Sequence, residues 1–179
     1  MAAAGLAAAV LDLATKSWVF ASIPLHEDRA VVGSLLLLRP QYNPAGPWSW
    51  GHGWEWLRWG LPAVSVVALF VIGRFWLQAD PRDRVKGAGL ALILGGALGN
   101  LWDRALTILG TYEGVRDFLV VRGVWFDSNW NWGADFPSFN LADTWITIGV
   151  VLVGWRMITE REPAPAPAPS PSPADEVRA

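Results

Sequence analysis

The chain has 179 residues, 53% of them hydrophobic and 17% charged, with a net charge of −2 and a mean hydropathy of +0.28. That is apolar for a soluble domain of this length and indicates a membrane class, while the thin scatter of Lys and Arg excludes a nucleic-acid surface. The absence of Cys excludes disulfides, thiolate metal sites and a cysteine nucleophile; His26 and His52 lack the spacing of a zinc site, so no metal and no cofactor are expected.

Four apolar segments, at 2–23, 60–79, 87–109 and 141–159, are each long enough to cross a bilayer core of about 30 Å, which takes about 20 helical residues. The first lacks the basic leading region of a secretory signal, and Asp12 and Lys16 interrupt it, so it reads as a retained helix. Those two residues stand four apart on one helical face, where an ion pair costs less than two separate charges in lipid. The next segment, 24–59, holds a β-prone run at 30–38, a Pro/Gly turn region, and Trp48, Trp50, Trp54, Trp56 and Trp59. It predicts a short sheet plus an interfacial aromatic element, whose Trp side chains act as anchors or touch a substrate. The segment 74–86, from the end of the second helix to the start of the third, carries Arg74, Arg82, Arg84 and Lys86, and Arg156 and Arg161 end the fourth. Basic residues accumulate on the cytoplasmic side, so both termini are expected there, with 24–59 and 110–140 outside.

In the third helix Gly95 and Gly99 form a small-residue face that lets a neighbour approach closely. It leads to Asn100, Asp103 and Arg104, which read as a satisfied helix end, with Arg104 neutralising a carboxylate and Asn100 bonding across helices. Asp117, within GVRDFLVV, reads by itself as a loop carboxylate closing a turn. Asp143, within FNLADTW, stands three residues after a good N-cap, Asn140, as in a capping box. Yet the topology places Asp117 and Asp143 on the same side, next to the bilayer surface. Two carboxylates close together in a partly desolvated site share a proton, the arrangement that acid–base peptide hydrolysis requires. Spacing alone leaves both the capping and the catalytic readings open. A small channel or proton-coupled transporter is the alternative, and it predicts polar residues spread through the depth of the bundle. The Pro/Ala-rich stretch 160–179 is expected to be a disordered cytoplasmic tail following one domain at 1–159.

GGALGNLWDR, GVRDFLVV and FPSFNLADTWITIG, in that order, together with LDLATK at 11–16 and YNPAGPWSW at 42–50, resemble the lipoprotein signal peptidase (signal peptidase II) family. The resemblance spans about 11–159. It implies a mainly α integral membrane fold: four transmembrane helices, a small extracytoplasmic β-cradle and a short interfacial helix. It also implies an aspartyl endopeptidase of the bacterial cytoplasmic membrane that meets two partners, membrane lipids and diacylglyceryl-modified prolipoproteins, and cleaves the latter before the lipidated Cys at the outer face. By motif position Asp117 and Asp143 would be catalytic. Asn100, Asn140, Asn43, Asp12 and Lys16 would orient the carboxylates or the substrate, and Asp103 and Arg104 would brace the site. The chain departs from the family pattern in longer stretches at 104–116 and 122–135, and in a Gly three rather than two residues after Asn43. Only 11 residues precede Asp12, with no basic anchor, so a start codon further upstream is an expectation that N-terminal mass spectrometry of the native protein checks.

Overall fold

The computed structural model describes residues 2–44 and 56–159. Within them the order is α1 (Ala2–Ser22), β1 (Arg29–Val32), β2 (Leu36–Asn43), α2 (Leu57–Gln78), α3 (Arg84–Ile108), β3 (Val115–Val121), β4 (Trp125–Phe126), β5 (Trp132–Ala134) and α4 (Leu141–Thr159). All four helices are long and apolar enough to cross a membrane, and their bounds match the expected segments to within three residues. Trp48, Trp50, Trp54, His52, Gly46 and the tail at 160–179 lie outside the described residues; of the five Trp of the expected interfacial aromatic element, Trp56 and Trp59 are described, and Trp59 lies in α2.

α3 is the central helix, and its glycines let the others close on it. A Cβ on Gly95 would overlap the carbonyl of Gly5 in α1, and one on Gly96 would overlap that of Ala142 in α4. The expected small-residue face is therefore real, and α1 is its partner. One turn on, Gly99 lies directly against the Asp12 carboxylate. Close backbone approach and polar contact thus come from the same helix face.

At the opposite, basic end, Asp83 caps α3 by accepting from Lys86 N at 3.0 Å, and Arg156 Nε of α4 donates to the same carboxylate at 2.7 Å. That capping satisfies an otherwise orphan helix donor and ties the two helix ends together.

β1, β2 and β3 form an antiparallel sheet in that order at the other end, where α1 and α3 finish and α2 and α4 begin. The β-prone run at 30–38 is two strands, because Gly33 takes a φ of +52° and turns the chain. Asp117 lies in β3 opposite Gln41, so the loop reading of that residue is corrected. The strand eluded pattern reading because both its faces are covered: residues 115–118 are all buried, which erases the two-residue alternation of a half-exposed strand. Val19 of α1 and Ile23, just past its end, pack with Leu38 and Phe118 in a small core. That core fixes β3 against α1 and sets Asp117, next in sequence to Phe118, at the helix ends.

Candidate active site at the helix ends

Asn140 and Asp143 form the expected capping box. Asp143 N donates to Asn140 Oδ1 and Asn140 N donates back to Asp143 Oδ2, each at 3.1 Å. The Asn140 side chain does more than cap: its Nδ2 donates to Asp117 Oδ1 at 2.7 Å and to Asn100 Oδ1 at 3.1 Å. One fully buried residue therefore holds both carboxylates, Asp143 through its backbone and Asp117 through its amide. Asn100 Nδ2 donates to the other oxygen of Asp143 at 2.9 Å, and Asn43 Nδ2 donates to the other oxygen of Asp117 at 3.0 Å.

The amide of Asn100 is oriented from behind. Lys16 Nζ donates to its Oδ1 at 2.9 Å, which leaves its Nδ2 to face Asp143. Lys16, with no exposed surface, also meets Asp12 at 2.7 Å and Asp103 at 3.2 Å. Asp12 Oδ1 accepts from the backbone N of Ala142 at 2.9 Å, so the pair expected on α1 reaches the first turn of α4. The buried charges are thus compensated by partners as well as by hydrogen bonds, the condition under which charge persists away from water.

Arg104 does not neutralise Asp103, contrary to expectation. Adjacent residues on a helix point about 100° apart and cannot face each other. Arg104 instead lies within hydrogen-bond reach of Ser65 Oγ on α2 at 3.4 Å, and its buried Nε has no hydrogen-bond partner among the described residues. The cations on Asp103 are Lys16 and Arg116 of β3, the latter with Nη2 and Nε donating to Oδ1 at 2.8 and 3.1 Å while its backbone N donates to Oδ2 at 3.0 Å. Sequence reading missed this role. The available signal was an Arg directly before Asp117, in a strand that places successive residues on opposite faces. The Tyr112 ring lies 4.5 Å from the Arg116 guanidinium carbon and adds a cation–π contact.

Burial pushes the Asp117 carboxyl up to about 7, with the Asp143 charge adding to the effect; the amides of Asn43 and Asn140 and the charge of Lys16 oppose it. Near neutral pH this acid changes protonation, which suits it to donate a proton or to accept one.

Four apolar helices with a buried acid–amide network at one end define a multi-pass membrane protein whose buried carboxylates and amides gather at the mouth of the bundle. Residues 4–159 match the family model described as signal peptidase (SPase) II. The chain is 33% identical to the lipoprotein signal peptidase of Yersinia pseudotuberculosis, over 80% of this chain and 78% of the relative. It is also 33% identical to that of Pseudomonas aeruginosa, over 86% and 84%. Two structures described as a bacterial membrane enzyme solved by the in meso method share the fold, with TM-scores of 0.72 and 0.69 at 22% and 23% identity, covering 90% and 88% of this chain and 92% of each of theirs. The chain belongs to the signal peptidase II family and is a membrane protease. No observation favours the channel alternative, whose polar residues would be spread through the depth of the bundle.

Proposed function

We propose that the protein is an aspartyl endopeptidase that removes the signal peptide from diacylglyceryl-modified prolipoproteins, with Asp117 and Asp143 as its catalytic pair. The observation that carries this reading is the double engagement of Asn140, which holds one oxygen of each carboxylate. Asp117, pushed up to about 7, supplies the shared proton. Asp143 acts as the base: it takes a proton from water as the water oxygen adds to the scissile carbonyl carbon. Asp117 donates a hydrogen bond to the carbonyl oxygen and then transfers its proton to the leaving nitrogen as the C–N bond breaks. One water is consumed, and the pair ends with its single proton on the other member.

Asn100, Asn140 and Asn43 orient the carboxylates in this reading. Lys16, Asp12, Asp103 and Arg116 position the asparagines and the strand, and Arg104 braces α3 against α2. The end rich in Arg74, Arg82, Arg84, Lys86 and Arg156 faces the cytoplasm, which puts the catalytic pair at the outer surface of a bacterial cytoplasmic membrane. A lipid-anchored peptide would present its cleavage site at that level. Purified protein carrying Asp117→Asn or Asp143→Asn should lose cleavage of a diacylglyceryl-modified prolipoprotein by at least about 10²-fold while staying folded and inserted. Near-normal turnover in either variant would end the assignment.

A further inference from the structure

The site does not use the hairpin at 123–134, yet the fold holds it firmly. On one face Trp125 packs edge-on against Phe136 at 4.9 Å, and Phe136 packs in the same way against Phe139 at 5.8 Å, directly before Asn140. On the other, Phe126 packs edge-on against Trp132 at 5.0 Å and tilted against Trp130 at 6.0 Å. This second face is exposed: 43% for Phe126, 65% for Trp132 and 81% for Trp130.

Both ends of the hairpin are fixed. Arg122 and Asp135, its flanking residues, close an alternating ring of ion pairs with Asp28 and Arg39. Its turn is fixed as well. Asp127 accepts from Asn129 N at 2.8 Å, Asn131 N at 2.9 Å and Asn131 Nδ2 at 3.0 Å, and Trp130 is held at a φ of +62°. The bonds from Asn131 hold the Asp127 carboxyl below its usual range. Asp127 is the one charged residue in 123–134, and its exposed carboxylate is tied back into the turn by Asn129 and Asn131, so the rings of Phe126, Trp130 and Trp132 carry the presented face.

We infer that this hairpin is a membrane-contact element whose Phe126–Trp130–Trp132 face enters the headgroup–acyl boundary of the bilayer that the four helices cross. Its chemistry continues an interface the helices already carry. Trp18 of α1, Trp59 of α2 and Trp102 of α3 are 56%, 62% and 54% exposed near the site end of their helices. Trp18 and Trp102 stand two residues from Lys16 and Asn100, a rise of about 3 Å, so this belt lies at the depth of the site. Trp prefers that depth because its ring is apolar while its N–H still reaches water or a headgroup. An aromatic face suits that environment better than it suits a charged peptide, and the Asp127 carboxylate bound within the turn stays at the headgroup level. A rigid base and a rigid turn keep the face presented rather than collapsed.

The chain has no Cys, so Ser128→Cys at the tip gives a unique site for an environment-sensitive fluorophore in the full chain. The labelled protein is reconstituted into phosphatidylethanolamine–phosphatidylglycerol nanodiscs. The expected result is blue-shifted emission that lipids carrying a nitroxide on a shallow acyl carbon quench by about half or more, as for a probe ~5–10 Å into the boundary, with weak quenching by iodide. Adding Phe126→Ser, Trp130→Ser and Trp132→Ser should reverse the two quenchers. Water-like emission quenched by iodide alone would overturn the inference. So would a probe shielded from both quenchers, which means a protein cover, or self-quenching that grows with protein density, which means a second copy.

Discussion

Two clusters of the same residue types lie at the site end of this molecule and behave oppositely. Asp12, Lys16, Asp103 and Arg116 form a buried chain of alternating charge behind the candidate site, each residue at most 4% exposed. Asp28, Arg39, Arg122 and Asp135 form an equally alternating ring on the sheet surface, with side chains 25–43% exposed. Water screens the ring, so each of its pairs adds little, and the hydrogen bond from Arg39 holds the Asp28 carboxyl below its ordinary range. The inner chain has no such screening. A charge left there without its partner has nowhere to be solvated. Such groups orient other residues, and here the last links are Asn100 and the two catalytic candidates.

The sharpest way to break this contrast is Lys16→Met, which leaves the buried Asp12 carboxylate without its cation while Asp103 keeps Arg116, and should destabilise the protein by about 3–5 kcal/mol, read as a large drop in thermal midpoint in detergent. Asp117 gives a pH signature of the same burial. Its carboxyl is raised from 3.8 to about 7, so the folded state binds more protons than the unfolded one between those values. Stability therefore falls as pH rises through that window. Asp117→Asn should flatten this slope in pH-dependent unfolding scans, and an unchanged slope would show that another group carries it. Next comes Asn100→Ala, which removes a donor from Asp143 and an acceptor from Lys16. Hydrogen bonds to charged groups are worth about 1.5–3 kcal/mol, so cleavage should slow about 10–100-fold with the bundle intact. Arg122→Gln in the surface ring should cost at most about 1 kcal/mol, a difference that high salt removes. A cost equal to that of Lys16→Met would erase the distinction between the clusters.

The helices were legible in the sequence because apolar length is a strong signal. The capping box at Asn140 and Asp143 and the Asp12–Lys16 pair were legible because each is local to one helix. The partner of Asp103 was not. Arg116 arrives from the next element, and helical spacing carries no information about a strand that returns from a loop. The reach of Lys16 to Asn100 and Asp103 was hidden for the same reason, since it depends on how closely Gly95 and Gly99 let α1 approach. The hairpin β4–β5 lies in a stretch recognised only as long; its register is set by a turn around Asp127 that periodicity does not show.

In the proposed mechanism Asp117 holds the proton that passes to the leaving nitrogen, while Asp143 takes its proton from water. The pH dependence of kcat/KM for a diacylglyceryl-modified prolipoprotein tests it most directly. Loss of that proton should produce a falling alkaline limb centred near pH 7, where the Asp117 carboxyl titrates. A rate that stays level through that region and well above it would contradict the account.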